Sequence, residues 1–110
     1  MIKITYTPEF KKEYNRLSKK HTSLESDIKL LIEELYENPT LGKSLGLHTY
    51  KIRCQVKSKG KSKGKSGGVR IITYYLEENY KICLLSIYEK SEKQSVSAKQ
   101  IRDLIQSATD

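Results

Sequence analysis

From Ser58 to Gly68 the chain reads Ser-Lys-Gly-Lys-Ser-Lys-Gly-Lys-Ser-Gly-Gly, a tract without one apolar side chain. Nothing in it can be buried to offset the entropy of ordering it, so the tract is expected as an exposed loop. The segments on its two sides, Thr49 to Lys57 and Val69 to Leu76, are rich in β-branched and aromatic residues and read as strands. Whatever the chain folds into must seat two strands joined by a long, solvated connection.

The remaining elements fall into place around this pair. Ile2 to Tyr6 alternates apolar and polar residues as a short strand does. Thr7-Pro8 then supplies an N-cap and a proline at the first helical position. The helix runs to about Lys20, with Phe10, Tyr14 and Leu17 recurring at i, i+4 and i+7. Thr22-Ser-Leu-Glu25 has the form of a capping box. Leu24, Ile28, Leu31, Ile32 and Leu35 form the stripe of a second helix that stops before Asn38-Pro39. The two helices make a hairpin. A Gly-containing connection from Leu41 to Leu47 leads into the strands, and a turn at Glu77 to Asn79 leads into another strand, Tyr80 to Tyr88. A final helix begins at Ser97, where Gln100 completes a second capping box, and buries Ile101, Leu104 and Ile105. The expected order is β-α-α-β-β-β-α, an α+β fold with a sheet packed against the helical hairpin. A chain of 110 residues that is 36% hydrophobic has room for one modest core, so a single domain over 1–110 is expected.

Charge is distributed unevenly. No Asp or Glu occurs from Asn38 to Leu76, while Lys43, Lys51, Arg53, Lys57, Lys59, Lys61, Lys63, Lys65 and Arg70 all do. The net charge is +8, so the rest of the chain is close to neutral and the molecule has one cationic side. A patch of single sign concentrates polyanions, which makes nucleic acid the first expected partner. Within Thr49 to Lys57, Tyr50, Ile52, Cys54 and Val56 alternate with Lys51, Arg53, Gln55 and Lys57, giving a core face and a cationic face. Arg70 interrupts the otherwise apolar start of the next strand, either as an exposed strand-end residue or as an anion ligand beside Lys51 and Arg53.

Other chemistries find less support. Cys54 and Cys83 lie in apolar stretches without Cys-x-x-Cys spacing or neighbouring His pairs, so they read as buried thiols, and neither a metal site nor a disulfide is expected. No apolar run reaches the length of a signal-peptide core or a membrane span. A soluble cytoplasmic protein with no membrane partner is the expectation. Gly64-Lys-Ser-Gly-Gly is too short for a nucleotide-phosphate loop and precedes a strand rather than a helix.

Tyr50-Lys-Ile-Arg53, Gly68-Val-Arg70 followed by Ile-Ile-Thr-Tyr, and Leu85-Ser-Ile-Tyr-Glu-Lys90-Ser-Glu-Lys93 before a terminal helix resemble the RelE/HigB group of bacterial type II toxins. The resemblance spans the element order of the whole chain, and Gly-Lys-Ser-Gly-Gly-Val-Arg is similar to the HigB-like branch. It implies a RelE-like fold and a ribosome-dependent mRNA endonuclease that cuts the codon in the A site. It also implies a cognate antitoxin as partner, besides ribosome and mRNA, and no cofactor. Carried over by position, the basic catalytic set is Lys51, Arg53, Arg70 and Lys90. Arg53 stands where RelE itself usually has Lys, and Lys90 where Arg is usual. The aromatic residue that RelE carries farther on aligns with Val96, so a stacking role is either absent here or transferred to Tyr88.

The residue types suit that chemistry independently. Attack of a 2′-hydroxyl on the adjacent phosphorus needs in-line positioning, a base, charge stabilisation at the phosphorane and a proton for the leaving 5′-oxygen. A lysine crowded by cations has its charged form disfavoured, which suits Lys51 to the base, while Arg53 and Arg70 clamp phosphate and Lys90 protonates or stabilises the leaving group. His48 is a reserve base. Lys57, Lys59, Lys61, Lys63, Lys65 and Lys93 are expected to bind RNA by charge, and Tyr88 by stacking. Two other readings stay open: a non-catalytic RNA- or ribosome-binding module, and a gyrase-inhibiting toxin of the ParE type.

Overall fold

The computed structural model describes residues 2–59, 68–92 and 96–109. Strand β1 (Lys3–Tyr6) leads into helix α1 (Pro8–Lys20), which starts where expected because Thr7 caps it. The Thr7 hydroxyl accepts the Phe10 N–H at 3.0 Å and donates to the Leu85 carbonyl at 2.8 Å, so one side chain caps the helix and ties it to the sheet. Helix α2 (Leu24–Glu37) turns back along α1, and Phe10, Leu17, Leu24, Ile28, Leu31 and Leu35 form the buried side of this hairpin.

Strands β2 (Lys43–Gly46), β3 (Thr49–Cys54), β4 (Val69–Leu76) and β5 (Lys81–Glu89) follow, then helix α3 (Ala98–Thr109). The strand order is β1-β5-β4-β3-β2, with β1 parallel to β5 and every other pair antiparallel. The α1–α2 hairpin packs on one face through Ile52, Cys54, Val69, Ile71, Leu84 and Ile87. On the other face, Leu104 and Ile105 of α3 pack against Ile72, Cys83, Leu85 and Tyr88.

Three expectations are corrected. The connection from Leu41 to Leu47 contains a strand, so the order is β-α-α-β-β-β-β-α. Residues 43–46 are Lys-Ser-Leu-Gly, with weak strand propensity, and pair with β3 with Lys43 opposite Lys51 and Ser44 opposite Tyr50, while Leu45 packs against the core on the α3 face. Gly42 makes this possible at φ +103°, since a Cβ there would lie 2.5 Å from the Lys51 carbonyl oxygen. Secondly, β3 stops at Cys54, and a 3-10 turn at Lys57–Lys59 replaces its expected end, whereas β5 continues to Glu89.

The third correction concerns the start of α2. Ser23, not Thr22, is the N-cap, and its hydroxyl makes no capping bond. It donates instead to Asp27 Oδ2 at 2.7 Å and accepts the Ser58 N–H at 2.8 Å, while Lys57 N–H donates to the same Asp27 oxygen at 3.2 Å. The hydroxyl that would have closed the helix thus holds the first turn of the basic tract. At α3 the expected box does form: Ser97 N–H donates to Gln100 Oε1 at 2.9 Å and Gln100 N–H to Ser97 Oγ at 3.1 Å.

Candidate functional site

Arg53 on β3, Arg70 on β4 and Tyr88 on β5 are direct cross-strand neighbours, forming one row across the sheet. Opposed residues bring their Cβ atoms to about 4.5–5.5 Å. Lys51 lies two residues along β3 on the same pleat face, about 7 Å away. The row depends on Gly68, which enters β4 at φ +74°, where a Cβ would collide with the Cys54 carbonyl. Only glycine brings the backbone in close enough to place Arg70 opposite Arg53.

Arg70 is 4% exposed, so the exposed strand-end reading is excluded. Burial lowers its pKa, the neighbouring Arg53 lowers it further, and Tyr88 acts in the opposite direction. Like charges facing each other on a sheet oppose folding. An anion placed between the two guanidinium groups relieves that repulsion and can take a bidentate hydrogen-bond pair.

A cleft of about 950 Å³ follows the edge of β3, and Lys51, Arg53, Arg70 and Lys90 line it on the sheet face turned away from the helical hairpin. These four residues are the basic set that the resemblance implied, and one cleft takes all of them in its lining. Lys57 lines it too, at the start of the basic tract. Lys90 follows β5 in a turn that is well braced. Glu89 is 3% exposed and receives Lys20 Nζ at 2.9 Å, and its other oxygen lies 3.0 Å from the buried His21 Nε2. Glu89 N–H donates to Glu92 Oε1 at 3.1 Å, and Glu92 in turn pairs with Arg16 at 2.7 Å.

Other candidate residues are not in this group. His48 is exposed in the β2–β3 turn at φ 62° and is not a lining residue. The side chain of Lys59 and all of Lys61, Lys63, Lys65 and Lys93 fall outside what is described. Tyr88, expected to stack on a base, is 2% exposed and packs beneath α3 with Leu104 and Ile105, so its ring is committed to the core. Burial raises its phenol pKa, and Arg70 partly reverses this. Val96 packs against the same cluster.

Cys54 and Cys83 are both buried free thiols, as expected. Burial, then Asp27 and Glu34, push Cys54 up to about 11. Burial also raises Cys83, against the lowering effects of a hydrogen bond to Thr5 and of Lys81. Among the described residues no three His, Cys, Asp or Glu side chains cluster as a metal-ligand set, and no helix is long and apolar enough to cross a membrane.

Asp27, His21, Glu34 and Glu89 escaped the sequence reading. Asp27 did leave a signal: it is an acidic residue three positions after Leu24, on the apolar stripe of α2. His21 and Glu89 left none, since a bond between residues 68 positions apart has no local pattern.

No family model matches the sequence. The structure is similar to a chain of the intact E. coli RelBE toxin-antitoxin complex, with a TM-score of 0.61 at 18% identity over 81% of this chain and 96% of that one. It is also similar to a doubly substituted mutant of E. coli toxin RelE in the free state, with a TM-score of 0.58 at 16% identity over 96% of this chain and 92% of the other. The α+β fold is RelE-like.

Proposed function

We propose that this RelE-like chain is the toxin of a type II toxin-antitoxin module and cuts mRNA in the ribosomal A site. The observation that carries the reading is the opposed pair Arg53 and Arg70, one of them buried, in a cleft that also holds Lys51 and Lys90. A lone phosphate-binding arginine needs no such company. Lys51 takes the proton from a 2′-hydroxyl, whose oxygen attacks the adjacent phosphorus. The P–O5′ bond breaks, leaving a 2′,3′-cyclic phosphate and a 5′-hydroxyl. Arg53 and Arg70 hold the charge of the phosphorane, and Lys90 supplies the leaving oxygen with a proton or stabilises its charge. Purified protein added to ribosomes carrying a defined A-site codon is expected to cut within that codon. Binding without any cut would leave the non-catalytic ribosome-binding reading instead.

The basic tract serves encounter rather than chemistry. Changing Lys57, Lys61, Lys63 and Lys65 to Gln is expected to weaken ribosome association and flatten its salt dependence, by about 0.7–0.9 in logarithmic slope per lost phosphate contact. Single-turnover cleavage once bound should change little. Identical affinity and slope in co-sedimentation across a salt series would refute this role.

Neutralisation falls to a partner protein. An acidic or amphipathic antitoxin segment can cover the cationic cleft or replace α3, whose buried Ile101 and half-buried Leu104 and Ile105 form a stripe another helix could mimic. Co-expression of the product of the adjacent gene should restore growth of cells making this chain. Persistent arrest despite a stable purified complex would exclude occlusion as the mode of inhibition.

A further inference from the structure

The turn that carries Lys90 is tied to α1 at two points, and one of them is buried. Residues Glu89 to Glu92 close on themselves: the Glu92 N–H donates to the Glu89 carbonyl at 3.0 Å, and the Glu89 N–H to the Glu92 carboxylate. Glu92 reaches outward to Arg16 of α1, in an exposed pair of the kind that contributes little. Glu89 reaches inward. It stands opposite Val69, which packs in the hairpin-facing core, so its side chain lies on that face, where Ile82, Leu84 and Ile87 of the same strand are apolar. There Lys20 Nζ meets one carboxylate oxygen and the buried His21 Nε2 the other, at 2.9 and 3.0 Å. An ionised carboxylate only accepts, so Nε2 carries the proton.

Stability does not account for a carboxylate at this position. The attraction in a buried ion pair barely offsets the desolvation of its members, and replacing such a pair with apolar side chains is commonly neutral or stabilising. What an apolar contact lacks is direction. Two hydrogen bonds from consecutive residues of α1 fix where β5 ends and which way its last side chain points. By the two-residue repeat of the strand, the next residue, Lys90, is turned to the opposite face, where Arg53, Arg70 and Tyr88 form their row.

We propose that Glu89, held by His21 and Lys20, is a positioning residue for Lys90: it sets the turn so that the ammonium group stands on the face of Arg53 and Arg70, and it does not itself touch RNA. This rests on the reading of Lys90 as a member of the reacting set.

A double-substitution cycle, read by single-turnover cleavage on programmed ribosomes, tests this. Glu89→Gln keeps the shape of the side chain but turns an amide N–H toward one of the two donors. It is expected to slow cleavage by about tenfold to 10²-fold, the effect of a small misplacement of a reacting group, while ribosome affinity changes little. In a Lys90→Ala background the same substitution should have no further effect, since no ammonium group is left to misplace. Lys20→Met removes one of the two donors at an exposed position outside the core, and should show the same pattern at smaller amplitude, so the cycle can be read even where Glu89→Gln does not fold. Equal slowing with and without Lys90, or no slowing in either variant, would overturn the role.

Backbone amide relaxation separates this from the endonuclease reading. Lys90 and Ser91 are expected at order parameters of about 0.85 in the wild type, falling toward about 0.6 in Glu89→Gln and Lys20→Met. Loss of order in a protein that cuts no mRNA keeps the positioning role and loses the reaction. Unchanged order at Lys90 in both variants would overturn the positioning role even in a protein that cuts.

Discussion

Lys51→Arg is expected to slow cleavage on programmed ribosomes nearly as much as Lys51→Ala, on the order of 10² to 10⁴, the usual contribution of a positioned general base. The two variants separate charge from proton transfer. Arginine preserves the cation beside Arg53 but does not give up its proton at any accessible pH. Lys51 is half-buried and lines the cleft, opposite Ile72 of β4 and Lys43 of β2, so the longer side chain can extend into the cleft without disturbing the sheet. Single-turnover rates decide the matter, because ribosome binding is expected to change little in either variant. Full activity in Lys51→Arg would show that the position supplies charge only. The base would then be sought first at Lys90, which lines the same cleft, ahead of His48, which does not.

The second large effect is expected at Arg70. In the proposed reaction its guanidinium matters most when the phosphorane carries additional negative charge, so Arg70→Ala should slow the cleavage step by on the order of 10² to 10³, as for loss of one transition-state donor. Ribosome affinity should fall far less. Truncation also leaves a void beside Tyr88, partly offset by relief of the repulsion from Arg53, so the thermal midpoint is measured alongside the rate. Arg70→Lys makes the distinction sharper: it keeps a positive charge and loses the fork, and should recover part of the rate. An unchanged single-turnover rate in a folded Arg70→Ala protein would remove this residue from the chemistry.

Much of this site was legible in the chain because it is written in local periodicity. Lys51 and Arg53 share a face by the two-residue repeat of a strand, and the Gly-x-Arg step marks where β4 begins. Thr7-Pro8 and Ser97 to Gln100 announce helix starts through bonds that reach only three residues, and both form. Failures occurred where a longer-range partner competed. Ser23 abandons its cap for Asp27 and Ser58, and β2 exists because β3 offers it backbone partners and the core a seat for Leu45. Tyr88 looked available for stacking until α3 covered it.

Sequence alone determined the α+β class, the helical hairpin, the alternation that puts cations on one face of β3, and the polarity of the Ser58 to Gly68 tract. Each follows from side-chain type repeated at a fixed spacing. Tertiary structure alone decided which distant residues meet: Arg53 against Arg70, and Glu89 against His21 and Lys20. The physical reason is that strand register and helix packing are set by the burial of the whole core, and a one-residue slip in β4 would turn Arg70 to the opposite face.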